Sequence, residues 1–424
     1  MYKRVPGTRD ILPEEVYSWQ WIEEIARGIL RNYAYQEIRT PVIEEASLFS
    51  RGLGEFAEIV QKQMFLIKNK EDTYALRPEG TASIVRAYIE NNLDKIKKFS
   101  KFYYFGPMFR LERPQKGRLR QFHHIGAEAI GSIDPNIDIE VISLADTLLR
   151  SWGVNGYQIQ INTLGCPEDK KKLVQLLEKE LKDEAAALCQ ECQVRLNKNV
   201  LRILDCKNEA CKQITAKLKL QDKHLCADCQ EHFKEVRSGL DGLGVKYEVA
   251  RHLVRGLDYY TRTVFEVKHG QLGAQDALGA GGRYDNLVEE LGGPKVACVG
   301  FAFGVERLML VTQPAAKTTG GLTAYLVTLG KEASREGRIL LDQLRKNGIP
   351  CETDYEGRSL KGAMRAANEL GVKLVLLLGE DELKKNVVMV KDMAAGSQEE
   401  VSRQELIEKL KEKLVQNSKR KDQN

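Results

Sequence analysis

Nowhere in the 424 residues does an uninterrupted apolar run approach the ~18–20 needed to span a bilayer, so no membrane-spanning helix is expected. The opening MYKRVPGTRDILPEE turns polar almost at once and has no apolar h-region, which argues against a signal peptide. An excess of one charge is also missing. The 65 basic and 60 acidic residues leave +5, which permits a polyanionic partner without requiring one. There is no tandem repeat, and no low-complexity tract beyond the polar tail Lys419–Asn424. Cysteines number nine, an odd count that reads as reduced thiols or metal ligands rather than a secreted disulfide framework. What is present is ordinary for a globular chain: 42% hydrophobic, 29% charged and 7% aromatic residues. At ~150 residues per domain the length fits two or three domains. A soluble, cytoplasmic, multidomain protein is the expectation.

One composition break divides the chain. Residues 311–321, VTQPAAKTTGG, lack a sustained apolar period and read as a linker. Beyond it, AYLVT (324–328), KLVLLL (373–378) and NVVMV (386–390) read as strands. Leu340, Leu341 and Leu344, and later Leu406, Ile407, Leu410 and Leu414, lie at helical spacing. This predicts an α/β domain over 322–424. In the larger part, 1–320, Tyr157, Ile159 and Ile161 alternate with polar residues, and KFYYFGPMFR (101–110) is aromatic and β-prone. Strands with one buried face imply an antiparallel sheet. Val141, Ala145, Leu148 and Trp152 repeat as a helix does. From about 165 to 249 the texture turns helical, led by Leu173, Leu177 and Leu181, and six of the nine cysteines fall within 189–229. This stretch reads as an insertion. The predicted class is α+β.

Five segments carry the chemistry. FRLERPQKGRLRQFHHIGAE (109–128) crowds Arg110, Arg113, Lys116, Arg118 and Arg120 around Pro114 and Gly117, as a strand, a basic loop and a returning strand. Guanidinium groups at the edge of such a hairpin suit phosphate, and Phe122 offers a flat face for a base. The plain alternative is a solvated charge run. In LRPEGTAS (76–83) a turn at Pro78 and Gly80 presents Glu79 beside Thr81, a carboxylate and hydroxyl for an ammonium group, or else an ordinary helix start. RGLDYYTRTVFE (255–266) places Arg255 beside aromatic Tyr259 and Tyr260, where developing negative charge can be stabilised. GAGGRYD (279–285) allows close backbone approach but lacks the spacing of a dinucleotide fingerprint. GFAFGVERL (300–308) sets Arg307 at a strand-to-helix junction. For these last two, tight packing is the competing explanation.

The five segments resemble the class II aminoacyl-tRNA synthetases and, within them, the bacterial histidyl-tRNA synthetase family over essentially the whole length. Ile38–Glu44 (IRTPVIE) is similar to motif 1, the dimer-interface element; Phe109–Glu112 with the basic loop to motif 2; and Gly304–Arg307 (GVER) to motif 3. The segments 255–266 and 279–285 resemble two signatures specific to histidine. The resemblance implies a class II antiparallel sheet flanked by helices, a helical insertion and a C-terminal anticodon-binding domain. It implies a cytoplasmic homodimer that attaches L-histidine to tRNA(His) with ATP and Mg²⁺, without DNA or membrane partners. By the same resemblance Arg110 holds the ATP α-phosphate and Arg307 the γ-phosphate, Phe122 stacks on adenine, and Glu112 and Arg118 complete the ATP site. Glu79, Thr81 and Glu128 receive histidine beside Tyr259, Tyr260 and Tyr284, and Arg255 stabilises the α-phosphate during attack.

The sequence departs from the family at one place. The family's usual QFHQ is Gln121, Phe122, His123, His124 here, so a histidine stands at a substrate contact. Neutral imidazole still donates one hydrogen bond and accepts one. A catalytically silent paralogue and a pure RNA-binding module are the alternatives; the retained arginines speak against both. No residue is assigned to a metal. Cys189-x-x-Cys192 and Cys226-x-x-Cys229 do have zinc-ligand spacing, with Cys206 and Cys211 between them. The 33 residues separating the pairs exceed the ~15–20 of a compact ribbon, so structural zinc competes with buried thiols.

Overall fold

The structure is a computed structural model that describes residues 2–54, 57–218, 220, 222–273, 276–312 and 323–421, with side chains to residue 413. Contacts divide the chain into two units, Met1–Pro314 and Ala315–Asn424. Of the expected linker 311–321, only Val311 and Thr312 are described, and Val311 still ends a helix.

In the first unit the strands are β1 (Gln36–Glu37), β2 (Ile43–Glu45), β3 (Phe65–Asn69), β4 (Asp72–Leu76), β5 (Ser100–Phe109), β6 (Gln121–Ile130), β7 (Tyr157–Thr163), β8 (Glu248–Val249), β9 (Thr261–His269), β10 (Ala277–Arg283) and β11 (Cys298–Gly304). Eight of them form one sheet in the order β1-β5-β6-β11-β10-β9-β7-β8, antiparallel except at its two edge pairs. A small sheet, β2-β4-β3, stands apart.

Alternation along the strands separates the two faces of the main sheet. Ile125, Ala127 and Ala129 on β6, with Phe301 and Phe303 on β11, face a core shared with helices Pro13–Asn32, Pro135–Ser151 and Ala227–Gly242. The residues between them, Phe122, His124 and Glu128, face the other way and line a cavity. Helix Pro135–Ser151 starts where its sequence favours starting: Asp134 accepts from the Asn136 N–H and Pro135 occupies the first turn. All four residues of its expected stripe are buried, and the Trp152 indole N–H donates to the Ile22 carbonyl at 3.0 Å.

Between β7 and β8 the chain is helical, with α-helices Pro167–Leu181, Gln190–Lys198, Glu209–Ala216 and Ala227–Gly242. The last of these is part of the main core. Its Phe233, Val236 and Leu240 pack with Ile139 and Ile142.

In the second unit β12 (Ala324–Thr328), β13 (Cys351–Thr353), β14 (Leu374–Leu378), β15 (Val387–Asp392) and β16 (Gln398–Ser402) form a sheet ordered β13-β12-β14-β15-β16. The first three are parallel and the last two antiparallel. Leu340, Leu344, Leu406 and Leu410 are buried against it; the side chain of Leu414 lies outside the described residues. No helix among the described residues is long and apolar enough to cross a membrane.

Candidate active site

All thirteen residues singled out above as catalytic or substrate-binding line one cavity of about 660 Å³ on the open face of the main sheet. One end is acidic and aromatic. Glu79, just ahead of helix Thr81–Glu90, accepts from the backbone N–H groups of Thr81 and Ala82 at 2.6 and 2.8 Å, so its carboxylate is held by the helix start. The Thr81 hydroxyl donates to Glu128 at 2.7 Å, and the Tyr284 hydroxyl donates to the other Glu128 oxygen at 2.5 Å. Burial raises both carboxyls, Glu128 to about 8 against the opposing pull of its two hydroxyl partners. Tyr259 stacks obliquely between Tyr260 and Tyr284, with ring centroids at 4.7 and 5.6 Å. Burial raises all three phenols, Tyr260 to about 12, so they stay neutral.

Glycines open this end. A Cβ on Gly300 would stand 1.8 Å from a Glu128 carboxylate oxygen, and one on Gly126 would fall 2.3 Å from the Tyr104 ring. Glycine on β11 leaves room for the Glu128 side chain of β6, and glycine on β6 leaves room for the Tyr104 side chain of β5.

The other end is basic. Arg110, at the close of β5, donates to the Pro78 carbonyl at 2.9 Å and lies over Phe122 with 5.2 Å to the ring centroid. Arg118 pairs with Glu112 at 2.9 Å, and Arg110 approaches the same carboxylate at 3.8 Å. Arg307, at the start of helix Val305–Val311, donates to the carbonyls of Gly117 and Ala277, which ties the basic loop to β10. Burial and the neighbouring Arg118 and Arg110 bring Arg307 down to about 10, against the opposing pull of Glu112, so this end of the pocket gathers more guanidinium groups than carboxylates. Arg255 pairs with Glu266 at 2.5 Å; burial alone would lower its affinity for the proton, and the Glu266 carboxylate more than offsets that. His124 lies between the two ends. Burial first, then Arg110 and Arg307, push it well below 6.5, so it is a neutral imidazole, and its Nδ1 has no protein partner.

Two carboxylates received no role from the sequence. Glu266 closes the segment that begins at Arg255, and its strand position opposite that arginine is a tertiary fact. Glu306, beside Arg307, accepts from both the backbone N–H of His123 and its ring, each at 2.9 Å. The pairing of cysteines is corrected. Cys189 and Cys192 gather with Cys206 and Cys211, whereas Cys226 and Cys229 gather with Cys166 and Asp169. Spacing along the chain had set the two Cys-x-x-Cys pairs side by side; the helices between them carry each pair to a different partner.

An antiparallel sheet carrying arginines on a strand–loop–strand hairpin and on a later strand–helix junction, beside an acidic, aromatic recess, is the architecture of a class II aminoacyl-tRNA synthetase. The sequence profile of histidyl-tRNA synthetase matches residues 7–308, and that of the anticodon-binding domain matches 323–413. The chain is 47% identical over 408 residues to the histidine–tRNA ligase of Desulforamulus reducens, covering 95% of this chain and 97% of that one. It is 46% identical to that of Thermodesulfovibrio yellowstonii, covering 97% and 99%. The crystal structure of the Staphylococcus aureus histidyl-tRNA synthetase superposes with a TM-score of 0.80 at 35% identity, over 97% of this chain and 100% of that one. The chain belongs to the histidyl-tRNA synthetase family.

Proposed function

We propose that the protein is a histidine–tRNA ligase that activates L-histidine with ATP and transfers it to the 3′ end of tRNA(His). Besides family membership, the observation that carries this reading is the adjacency in one cavity of the Glu79–Thr81–Glu128–Tyr284 chain and the cations Arg110, Arg255 and Arg307. The acidic chain suits the histidine ammonium, and the tyrosines with neutral His124 suit the imidazole. Arg110 and Arg255 suit the α-phosphate, Arg307 the γ-phosphate, and Phe122 with Glu112 and Arg118 the adenine end. Activation forms a bond between a histidine carboxylate oxygen and the α-phosphorus while the α–β anhydride bond breaks and pyrophosphate leaves. No protein nucleophile is needed; positioning and charge neutralisation supply the rate. In the second step the terminal ribose hydroxyl attacks the adenylate carbonyl, an ester forms, and AMP departs.

Mg²⁺ fits this site as part of the nucleotide. Glu112 and Glu266 are each committed to an arginine, and no cluster of carboxylates lines the cavity among the described residues, as expected for a cation that keeps its waters and binds through substrate phosphates. When bound it neutralises the leaving phosphates. The resemblance of Ile38–Glu44 to motif 1 supports a homodimer, as do Ile43, Leu66 and Ile67, which the small sheet leaves exposed. A cytoplasmic location is consistent with this chemistry. Histidine-dependent exchange of pyrophosphate into ATP, followed by charging of tRNA(His), tests the reading. A folded protein without exchange is a silent paralogue.

A further inference from the structure

The described residues hold two groups of ligand atoms outside the catalytic cavity's chemistry, and both lie in the helical stretch between β7 and β8. In the first, the sulfurs of Cys189, Cys192, Cys206 and Cys211 all lie within 4.8 Å of one another. In the second, the sulfurs of Cys166, Cys226 and Cys229 and a carboxylate oxygen of Asp169 do the same. We infer that this stretch is stapled by two structural zinc ions, one bound by four thiolates and one by three thiolates and the Asp169 carboxylate.

Distance is the first argument. A tetrahedron with metal–sulfur bonds of about 2.3 Å has sulfur–sulfur edges of about 3.8 Å. Cys189 and Cys206 stand 3.8 Å apart. That separation is nearly twice the about 2.05 Å of a disulfide, and all nine cysteines are free.

The surroundings are the second. Backbone N–H groups point at the sulfurs: Cys189 donates to Cys211 at 3.2 Å, Asn208 to Cys206 at 3.4 Å, and Cys166 to Cys229 at 3.2 Å. Donors so placed support thiolates. Arg195, three residues after Cys192 on the same helix, brings a positive charge toward the four-sulfur group. In the other group Asp169 is fully buried. One of its oxygens accepts from the Cys226 N–H at 3.0 Å, while the second has no hydrogen-bond partner. A buried carboxylate oxygen left without a donor among three sulfurs is costly unless a cation takes it. Thiols that merely fill a core neither converge in fours nor recruit an aspartate.

The third argument is placement. Cys166, Cys189 and Cys226 each sit immediately before a helix, and Asp169, Cys192 and Cys229 follow three residues later on its first turn. The positive end of a helix favours thiolate and carboxylate there. The mixed group joins the start of the first helix of this stretch to the start of its last, with Cys166 and Cys226 60 residues apart along the chain. The four-thiolate group lies inside that loop. A small helical segment with a modest core of its own gains most from such closures. Sulfur-rich tetrahedral donors select zinc over the oxygen-seeking Mg²⁺ or Ca²⁺. The inner group also borders the active site, since Cys189 and Cys206 line the cavity that holds Arg255.

The test uses the full-length protein, purified without chelator, reconstituted with zinc under reducing conditions, and freed of unbound metal. Elemental analysis is expected to give two zinc ions per chain. Cys206→Ser and Cys226→Ser should each leave one, and Cys351→Ser, in the second unit, should leave two. Stripped wild-type protein titrated with Co²⁺ should develop the visible bands of tetrahedral cobalt thiolate, saturating at two equivalents, which decides the matter even if a serine variant fails to fold. Fewer than one zinc per chain after reconstitution, iron in place of zinc, or octahedral cobalt spectra would overturn the proposal. A single zinc lost in Cys226→Ser but not in Cys206→Ser would overturn the four-thiolate site, and the converse would overturn the mixed one.

Discussion

Glu79 and Glu128 are linked through Thr81, and burial keeps a proton on Glu128 up to about 8. An incoming histidine ammonium needs that carboxylate ionised. Histidine binding should therefore release a proton below that pH, and affinity should rise as pH climbs toward 8. Calorimetric titration in buffers of different ionisation enthalpy measures the release; none at pH 7 would contradict the assignment. The stability linkage has the opposite sense. A carboxyl raised from 4.5 to about 8 on folding contributes stability that is complete below 4.5 and is lost as pH rises to 8. Glu128→Gln keeps a neutral side chain there, so its denaturation midpoint should vary less with pH across that window than the wild type's.

At the same scale, Arg255 is held by Glu266, and the proposed role places it where charge develops. Arg255→Ala should lower the rate of adenylation by about 10²–10³ while ATP affinity changes far less. Pyrophosphate exchange at saturating ATP, with nucleotide binding measured separately, distinguishes the two effects; near-normal exchange in folded protein would refute the role. Gly300→Ala places a methyl 1.8 Å from Glu128 and 2.6 Å from the Ala127 carbonyl. Backbone cannot withdraw as a flexible side chain can, so the variant should lose histidine affinity before ATP affinity. Equal loss of both would point to general unfolding instead.

Among elements, the strongest tie is one that the sequence reading did not contain. GAGGRYD was read for its glycines and Tyr284, yet Arg283 is completely buried and pairs at 2.5 Å with Asp138, itself completely buried, on helix Pro135–Ser151. Arg283 also donates to the Ser132 carbonyl and to Asp285, and His232, from the last helix before β8, approaches Asp138 at 3.4 Å. Asp138 would be raised by burial, and Arg283 brings it below its ordinary value instead. Removing Asp138 leaves the buried Arg283 with Asp285 as its remaining carboxylate, so Asp138→Ala should cost about 3 kcal/mol, the low end for breaking a buried pair, in chemical denaturation. A loss below 1 kcal/mol would mean the pair is not buried as described. The elements themselves were largely legible. Helix 135–151 follows from the helical spacing of Val141, Ala145, Leu148 and Trp152 and β7 from its alternation, whereas β5 and β6 follow from aromatic, β-prone composition and the Pro114–Gly117 loop between them. The pairing of β6 with β11, whose partners run from Cys298 with Ile130 to Gly304 with His124, leaves no such local mark.

For the whole molecule, the chain divides into two units. The first contains the entire cavity, and the second matches the anticodon-binding profile. A protein ending at Pro314 should still make histidyl-adenylate and should lose most tRNA charging, since unstacked anticodon bases far from the acceptor end would go unread. Full charging by the truncated protein would sink this, as would complete loss of adenylate formation in truncated protein shown to be folded.

Composition and short-range pattern were enough to give the class of each unit and the hairpin with its arginines, while most residues of the candidate site followed from the family resemblance. The first two depend on local physics: side-chain period, turn chemistry, and the charge a phosphate demands. Only the tertiary structure decided which groups meet. It set Glu266 against Arg255 and Arg283 against Asp138, and it sent the two Cys-x-x-Cys pairs to different partners. Such contacts join residues that have no common periodicity. Spacing along the chain reports distance only within one element; beyond it, the packing of helices and strands determines which atoms lie within bonding reach.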